Sequence, residues 1–251
     1  MSTAALYDIH GNLPALEAVL AELSPERVDQ IFVGGDVLPG PMPAECLDLL
    51  TGLEIPTRFI MGNGDREVLA RVRGIETEWY KTARPEWREP IDWTAQQLSS
   101  QHEELVASWP ATLTMGIDDL GDVLFCHATP RNDTDIFTRL TAEQRLQPLF
   151  AQVKEKLVIC GHTHMQFDRA VGNTRLVNAG SVGMPFGRTG ADWLLLGPDV
   201  QLRHTDYGLQ SAADLIAQTA YPQADKFVEN YVLNVPSEDQ MLKAYAHAEA
   251  K

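Results

Sequence analysis

Five times along the chain, a short strand-like run gives way to a residue able to bind a metal ion. Asp8-Ile9-His10 follows Thr3 to Tyr7, Gly35-Asp36 follows Val28 to Val33, and Gly62-Asn63 follows Ile55 to Met61. His127 ends the run Val123 to Cys126, and Gly161-His162-Thr163-His164 ends Leu157 to Cys160. Short apolar runs bounded by turn residues read as buried strands. After each of the first three, a helical pattern begins, and strands alternating with helices imply a parallel sheet whose ligands gather beyond its carboxyl edge. The pattern therefore demands an α/β fold with seven oxygen or nitrogen donors at one edge.

The first helix is framed by Asn12 as N-cap and Pro14 in the first turn, with Leu13, Leu16, Val19, Leu20 and Leu23 on one face. A second runs through Cys46, Leu47, Leu49 and Leu50, behind a loop stiffened by Pro39, Pro41 and Pro43. Residues 74–110 break this rhythm and hold Trp79, Trp87, Trp93 and Trp109. They read as a helical insertion with one main helix from Ile91 to Trp109, its aromatics anchoring it to the core or closing over the site as a lid. Ala111 to Ile117 and Val123 to Cys126 then pair, and a helix spans Glu143 to Glu155. Gln166 to Val171 and Arg175 to Asn178 form a hairpin about Gly172-Asn173, and with Trp193 to Leu196 they give the second half its own sheet. After Tyr207 come two amphipathic helical stretches with no chemical cluster. The whole, residues 1–251, reads as one domain with that insertion and a helical tail over 208–251.

A chain of 251 residues, 44% hydrophobic, can bury a sizeable core. Its net charge of −15 repels nucleic acid and anionic membrane, although cations in a cleft still allow a phosphate substrate. Cys46, Cys126 and Cys160 suit reduced core positions. The first seven residues carry no basic segment and lead straight to Asp8, leaving no room for a signal peptide, and no stretch approaches the ~20 apolar residues of a membrane span. The expectation is a cytoplasmic protein.

Taken singly, Asp36 is an ordinary turn residue, Asn63 a helix cap and His127 a core histidine. Together, seven donors at strand ends point to a metal site, and a set of hard or borderline O and N ligands suits Mn²⁺, Fe, Co²⁺ or Zn²⁺. Two such ions sharing a carboxylate clamp phosphate oxygens and generate hydroxide near neutral pH, so no protein nucleophile is required.

In order and spacing, Asp8-x-His10, Gly35-Asp36, Gly62-Asn63, His127 and Gly161-His162-x-His164 resemble the calcineurin-like metallophosphoesterase superfamily, from Asp8 to about Gly183. The resemblance implies a four-layer α/β/β/α sandwich of two packed mixed β-sheets with helices outside. It implies Asp8, His10, Asp36 and His164 at one metal and Asp36, Asn63, His127 and His162 at the other, Asp36 being shared and Asn63 and His127 also catalytic. Two divalent metal ions are implied, manganese first, with iron, cobalt, zinc or nickel as alternatives. The expected activity is hydrolysis of phosphodiester bonds in a small phosphorylated substrate, nucleotides and dinucleoside polyphosphates included, by a hydroxide bridging the metals. A phosphomonoesterase and a non-catalytic metal-binding scaffold are the alternatives, and a homo-oligomer is left open.

Departures from the family pattern narrow this further. Many relatives carry a histidine after Gly-Asn that touches phosphate and can protonate the leaving group, but here Gly64 stands in its place. Good leaving groups are therefore favoured, and a histidine placed at 64 should help poor ones most. Asp65, the remaining motif member, reads either as a catalytic residue or as an exposed cap at a helix start. The Asp-Arg-Gly of protein Ser/Thr phosphatases is absent after Asp36. The loop with Gly40-Pro41 and the run Val177-Asn178-Ala179-Gly180-Ser181-Val182-Gly183 look more like the small bacterial phosphodiesterase branch. Arg66 and Arg131 each follow a ligand motif closely enough to bind a substrate phosphate, with surface salt bridges as the other reading.

Overall fold

The computed structural model describes residues 2–23 and 28–248. Among them, β1 (Thr3–Leu6), β2 (Gln30–Val33), β3 (Thr57–Phe59), β4 (Thr112–Ile117), β5 (Gly121–Cys126), β6 (Leu157–Cys160), β7 (Phe167–Val171), β8 (Thr174–Asn178), β9 (Ala191–Leu196) and β10 (Val200–Thr205) form two five-stranded sheets. One has the order β10-β9-β1-β2-β3, with β1, β2 and β3 parallel and β9 antiparallel to β1 and to β10. The other has the order β4-β5-β6-β8-β7, parallel across β5, β6 and β8 and antiparallel at both edges.

Side-chain alternation turns these ribbons into layers. Along β1, Ala5 packs with Phe32 of β2 against Phe125, Ile159 and Val177 of the other sheet, and Phe32 and Phe125 stack 3.9 Å apart. Ala4, Leu6, Ile31 and Val33 point the other way, onto α1 (Leu13–Glu22), α2 (Pro43–Thr51) and α3 (Asn63–Val72). On the far side of the second sheet, Leu124, Val158 and Leu176 meet Leu146 and Phe150 of α7, which spans Glu143–Phe150. The result is the expected helix-sheet-sheet-helix sandwich. Asn12 caps α1 by accepting from the Ala15 N–H at 3.3 Å, and all three cysteines are buried and unpaired.

Several expectations need correction. The single helix over 91–109 is replaced by α4 (Glu78–Thr82), α5 (Pro85–Gln97) and α6 (Ser100–Ala107). Leu98 turns extended because the Ser99 hydroxyl caps α6 on the His102 N–H, which restarts the chain in a new direction. Trp193 to Leu196 does not join the second sheet. Ala191 and Trp193 face the helices while Leu194 and Leu196 face the inter-sheet core, and a strand buried on both faces fits beside β1. β10 carries no strand signal in the sequence, because its exposed Leu202 and its charged Arg203 show no apolar run. The helix expected over 143–155 ends at Phe150. The tail forms α8 (Leu209–Ala217), α9 (Ala224–Phe227), a π-helical turn over Val228–Leu233, and α10 (Glu238–Ala248). No helix among the described residues is long and apolar enough to cross a membrane.

Candidate metal centre

The loops leaving β1, β2 and β6 do what parallel strands require: they turn sharply at their carboxyl ends. Asp8, His10, Asp36, His162 and His164 all adopt left-handed backbone, with φ between 47° and 68°. Aspartate and histidine tolerate this region better than most residues, yet each such residue costs on the order of 1 kcal/mol or more. The cost is met by neighbouring loops. The Asp8 N–H donates to the Gly35 carbonyl, His10 N–H to Asp36 and Gly11 N–H to Val37, while Ser181 Oγ donates to the Asp8 carbonyl at 2.7 Å. Asn178 Nδ2 donates to the Gly161 carbonyl at 2.6 Å and to Thr163 Oγ1 at 3.1 Å, holding the turn that carries His162 and His164.

Two groups of donors result. Asp8, His10 and His164 offer ligand atoms within 4.8 Å of one another, and so do Asp36, His127 and His162. Each carboxylate has one oxygen fixed by a backbone amide: Asp8 Oδ2 accepts from His162 N–H at 2.9 Å and Asp36 Oδ1 from Gly64 N–H at 2.7 Å. The other oxygens face the imidazoles. Asp8 Oδ1 is buried without a hydrogen-bond partner, 3.3 Å from His164 Nε2 and 3.8 Å from His127 Nε2. Asp36 Oδ2 lies 3.5 Å from His127 Nε2 and 3.9 Å from His10 Nε2, so it touches both groups. His127 Nδ1 sits 3.0 Å from the Gly34 carbonyl and His164 Nδ1 2.9 Å from that of Met184. Donation there leaves both Nε2 lone pairs for a ligand role.

Asn63 completes the second group. Its Oδ1 sits 2.9 Å from His162 Nδ1 and 3.2 Å from His127 Nε2, with the Asp133 carbonyl at 3.0 Å, so an acceptor faces acceptors. Without a cation the amide gains by turning round to donate; a cation between these atoms reverses that preference. An orphaned buried carboxylate oxygen and a donor set of oxygen and imidazole nitrogen both fit divalent metal ions.

In the metal-free protein these groups are tuned unequally, and His127 must give up its Nε2 proton to act as a ligand. Burial holds His10 and His162 down to about 4, which keeps both imidazoles neutral at physiological pH. Burial pulls His127 the same way, but Asp36 and Asp8 outweigh it and lift the ring to about 10. Burial raises Asp36 and Asp8, yet the neighbouring histidines prevail and keep both below the usual carboxylate range.

Asp65 is not an exposed cap. It is fully buried and accepts from the N–H groups of Asp36 (2.7 Å), Leu38 (2.9 Å) and Gly62 (3.0 Å), binding the second strand-end loop to the start of α3. Gly64 is equally constrained, since a β-carbon there would overlap the Leu38 carbonyl oxygen and lie 2.9 Å from Pro39 Cδ. A histidine at 64 therefore cannot restore a proton donor as the sequence suggested. Gly64→His should instead lower thermal stability and metal content together, as read by melting curves and elemental analysis; full metal content with improved turnover of poor leaving groups would contradict this.

The open side of the centre faces a cavity of about 450 Å³ that reaches His10, Asp36, Asn63 and Gly64. Arg66 lines it, with Nη1 on Glu67 at 2.5 Å and Nε on Asp133 at 2.7 Å. Arg131 does not line it: its side chain is exposed, paired with Asp135 at 2.6 Å, and borders a separate cavity of about 180 Å³ that also reaches His127. The tail, expected to carry no chemistry, supplies Tyr221, Lys226, Phe227 and Tyr231 to the main cavity. Asn178 and Ser181 were visible only as part of a family-like run, with nothing to announce that they hold ligand loops.

The sequence profile of the calcineurin-like phosphoesterase superfamily domain matches residues 1–197. The chain belongs to the calcineurin-like phosphoesterase superfamily. It is 25% identical to an uncharacterised protein of Methanocaldococcus jannaschii over 88% of this chain and 93% of that one. A symmetrical bis(5'-nucleosyl)-tetraphosphatase of Pectobacterium atrosepticum is 33% identical over 41% of this chain, spanning only 40% of the relative's length. Among solved structures, a metallophosphoesterase of Sphaerobacter thermophilus superposes with a TM-score of 0.72 at 24% identity, covering 94% of this chain and 99% of the other. That last likeness speaks to the superfamily fold alone.

Proposed function

We propose that this chain is a phosphoesterase that uses two divalent cations, manganese first, to hydrolyse phosphodiester or phosphoanhydride bonds in a small nucleotide-like substrate. The observation that carries this reading is that the two donor groups adjoin, the free oxygens of Asp36 and Asp8 each facing histidines of both. Asp8, His10, His164 and Asp36 would hold one cation, and Asp36, Asn63, His127 and His162 the other. Bound there, the pair supplies charge to the phosphoryl oxygens and a water of lowered pKa.

The chain's own groups prepare that chemistry. Backbone carbonyls of Gly34 and Met184 orient His127 and His164, and the left-handed turns hold Asp8, His10, Asp36, His162 and His164 towards one space before ligand arrives. Arg66 brings a guanidinium to the cavity edge, suited to a non-bridging phosphate oxygen. With Gly64 barring a general acid at its position, a leaving phosphate or another weakly basic group departs most readily. The partial likeness to tetraphosphatases supports a nucleotide-like substrate. Because the insertion and the tail line the same cavity as the ligands, we read residues 1–251 as one functional domain.

Purified protein loaded with Mn²⁺ should hydrolyse bis-p-nitrophenyl phosphate, EDTA should reduce the rate by about 100-fold or more, and added Mn²⁺ should restore it. Absence of turnover on phosphodiesters, phosphomonoesters and nucleotides, with two metal ions bound per chain, would overturn the proposal.

A further inference from the structure

Metal ligands form only one end of the cavity, whose volume of about 450 Å³ is that of a small-molecule site. Five aromatic side chains stand among the other lining residues, and they come from the insertion and the tail. Trp79 and Trp87 belong to the insertion, while Tyr221, Phe227 and Tyr231 lie beyond residue 197, where the superfamily match ends. Trp79 is 44% exposed and Trp87 53%, whereas Trp109 and Trp193 keep 6% and 2%. Two indoles left in water on the wall of one cavity contribute little to the core and mark a surface kept for a ligand.

The two walls are tied together. Pro90 in α5 has no N–H for the carbonyl of Glu86, four residues earlier, and Gln223 Nε2 from the tail donates to that carbonyl at 2.6 Å instead. Trp93 of α5 also meets Tyr221 edge-on at 5.4 Å. The α5 wall and the tail wall are thus held together before any ligand enters, which reduces the ordering cost of binding.

We propose that this end of the cavity is a subsite for a planar aromatic ring, a nucleobase or aryl group, joined to the phosphate that the metal ligands receive. The phosphate half rests on the phosphoesterase reading; the ring half rests on the aromatic walls alone. Stacking on aromatic side chains tolerates any flat π-system, and losing one such contact weakens binding roughly 5- to 150-fold.

The test uses the full chain, first stripped of metal with EDTA and dialysed against adenosine, p-nitrophenol or ribose. Saturable binding of adenosine or p-nitrophenol without binding of ribose is expected, the tighter of the two separating nucleobase from aryl. The double variant Trp79→Leu/Trp87→Leu, at surface positions that leave the core intact, should weaken that binding by about 10-fold or more. With Mn²⁺ restored, it should raise KM for bis-p-nitrophenyl phosphate by a similar factor, with kcat within about 2-fold and KM for glycerol phosphate unchanged. Failure of the wild-type chain to bind either ring, or an equal rise in KM for both substrates, would overturn the subsite. Ring binding that the double variant loses, in a metal-loaded chain that hydrolyses no phosphoester, would instead strike the phosphoesterase reading and leave the ring subsite supported.

Discussion

Asp36→Asn should remove both cations and lower phosphoester turnover by about three orders of magnitude. The substitution is close to isosteric, and its remaining oxygen can still accept from the Gly64 N–H, which holds Oδ1 at 2.7 Å. What it removes is the negative oxygen that faces His10 at 3.9 Å and His127 at 3.5 Å. A carboxylate shared by two dications offsets charge at both, so its neutralisation weakens two sites at once, and a lost shared ligand costs several kcal/mol of transition-state charge stabilisation. Elemental analysis after dialysis should fall from two ions per chain to less than one. His164→Ala, by contrast, removes a donor from one group only and should leave about one ion bound. Retention of one tight ion in Asp36→Asn, with the other merely weakened, would mean that the carboxylate serves a single site.

The second large effect belongs to a residue that touches no metal. Asp65→Ala deprives the buried N–H groups of Asp36, Leu38 and Gly62 of their acceptor. Each orphaned donor costs about 1–3 kcal/mol, so a loss of about 3–9 kcal/mol is expected. In a chain of this size that lowers the melting temperature by roughly 10 °C or more, and the Asp36 loop loosens with it. Asp65→Asn keeps one acceptor and should fall between. Burial, then Asp36, pushes the Asp65 carboxyl up to about 8 in the metal-free protein. A folded value above the unfolded one means that the group's contribution is complete below about pH 4 and is lost as pH rises through 8. The metal-free wild type should therefore carry a declining stability component over that range which Asp65→Asn lacks. Melting curves of both proteins from pH 5 to 9 check this, and parallel slopes would refute it.

The ends of the strands were legible because each is a local pattern: an apolar run, a turn, and a donor that the run leaves at the sheet edge. That is why Asp8, His10, Asp36, Asn63, His127, His162 and His164 could be named before any coordinates, and the structure brings all seven to one place. What stayed hidden depends on distant packing. Asp65 matches a helix cap whether it is buried or exposed, and only the β2 loop lying across it reveals the donors of Asp36 and Leu38. Gly64 reads as a missing histidine until the Leu38 carbonyl shows that no side chain fits. Tyr221, Phe227 and Tyr231 occur in a tail whose apolar spacing describes packing equally well, and nothing local says that they close a cavity that begins at His10. The strand Ala191–Leu196 is apolar enough for either sheet, and the space beside β1 decided between them.

An anomalous difference map from crystals soaked in Mn²⁺ would show directly how many cations bind and where. Two peaks are expected, one among Asp8, His10 and His164 and one among Asn63, His127 and His162, with the Asp36 carboxylate between them. A single peak, or two peaks that leave Asp36 bonded to neither, would contradict a pair of cations sharing that carboxylate.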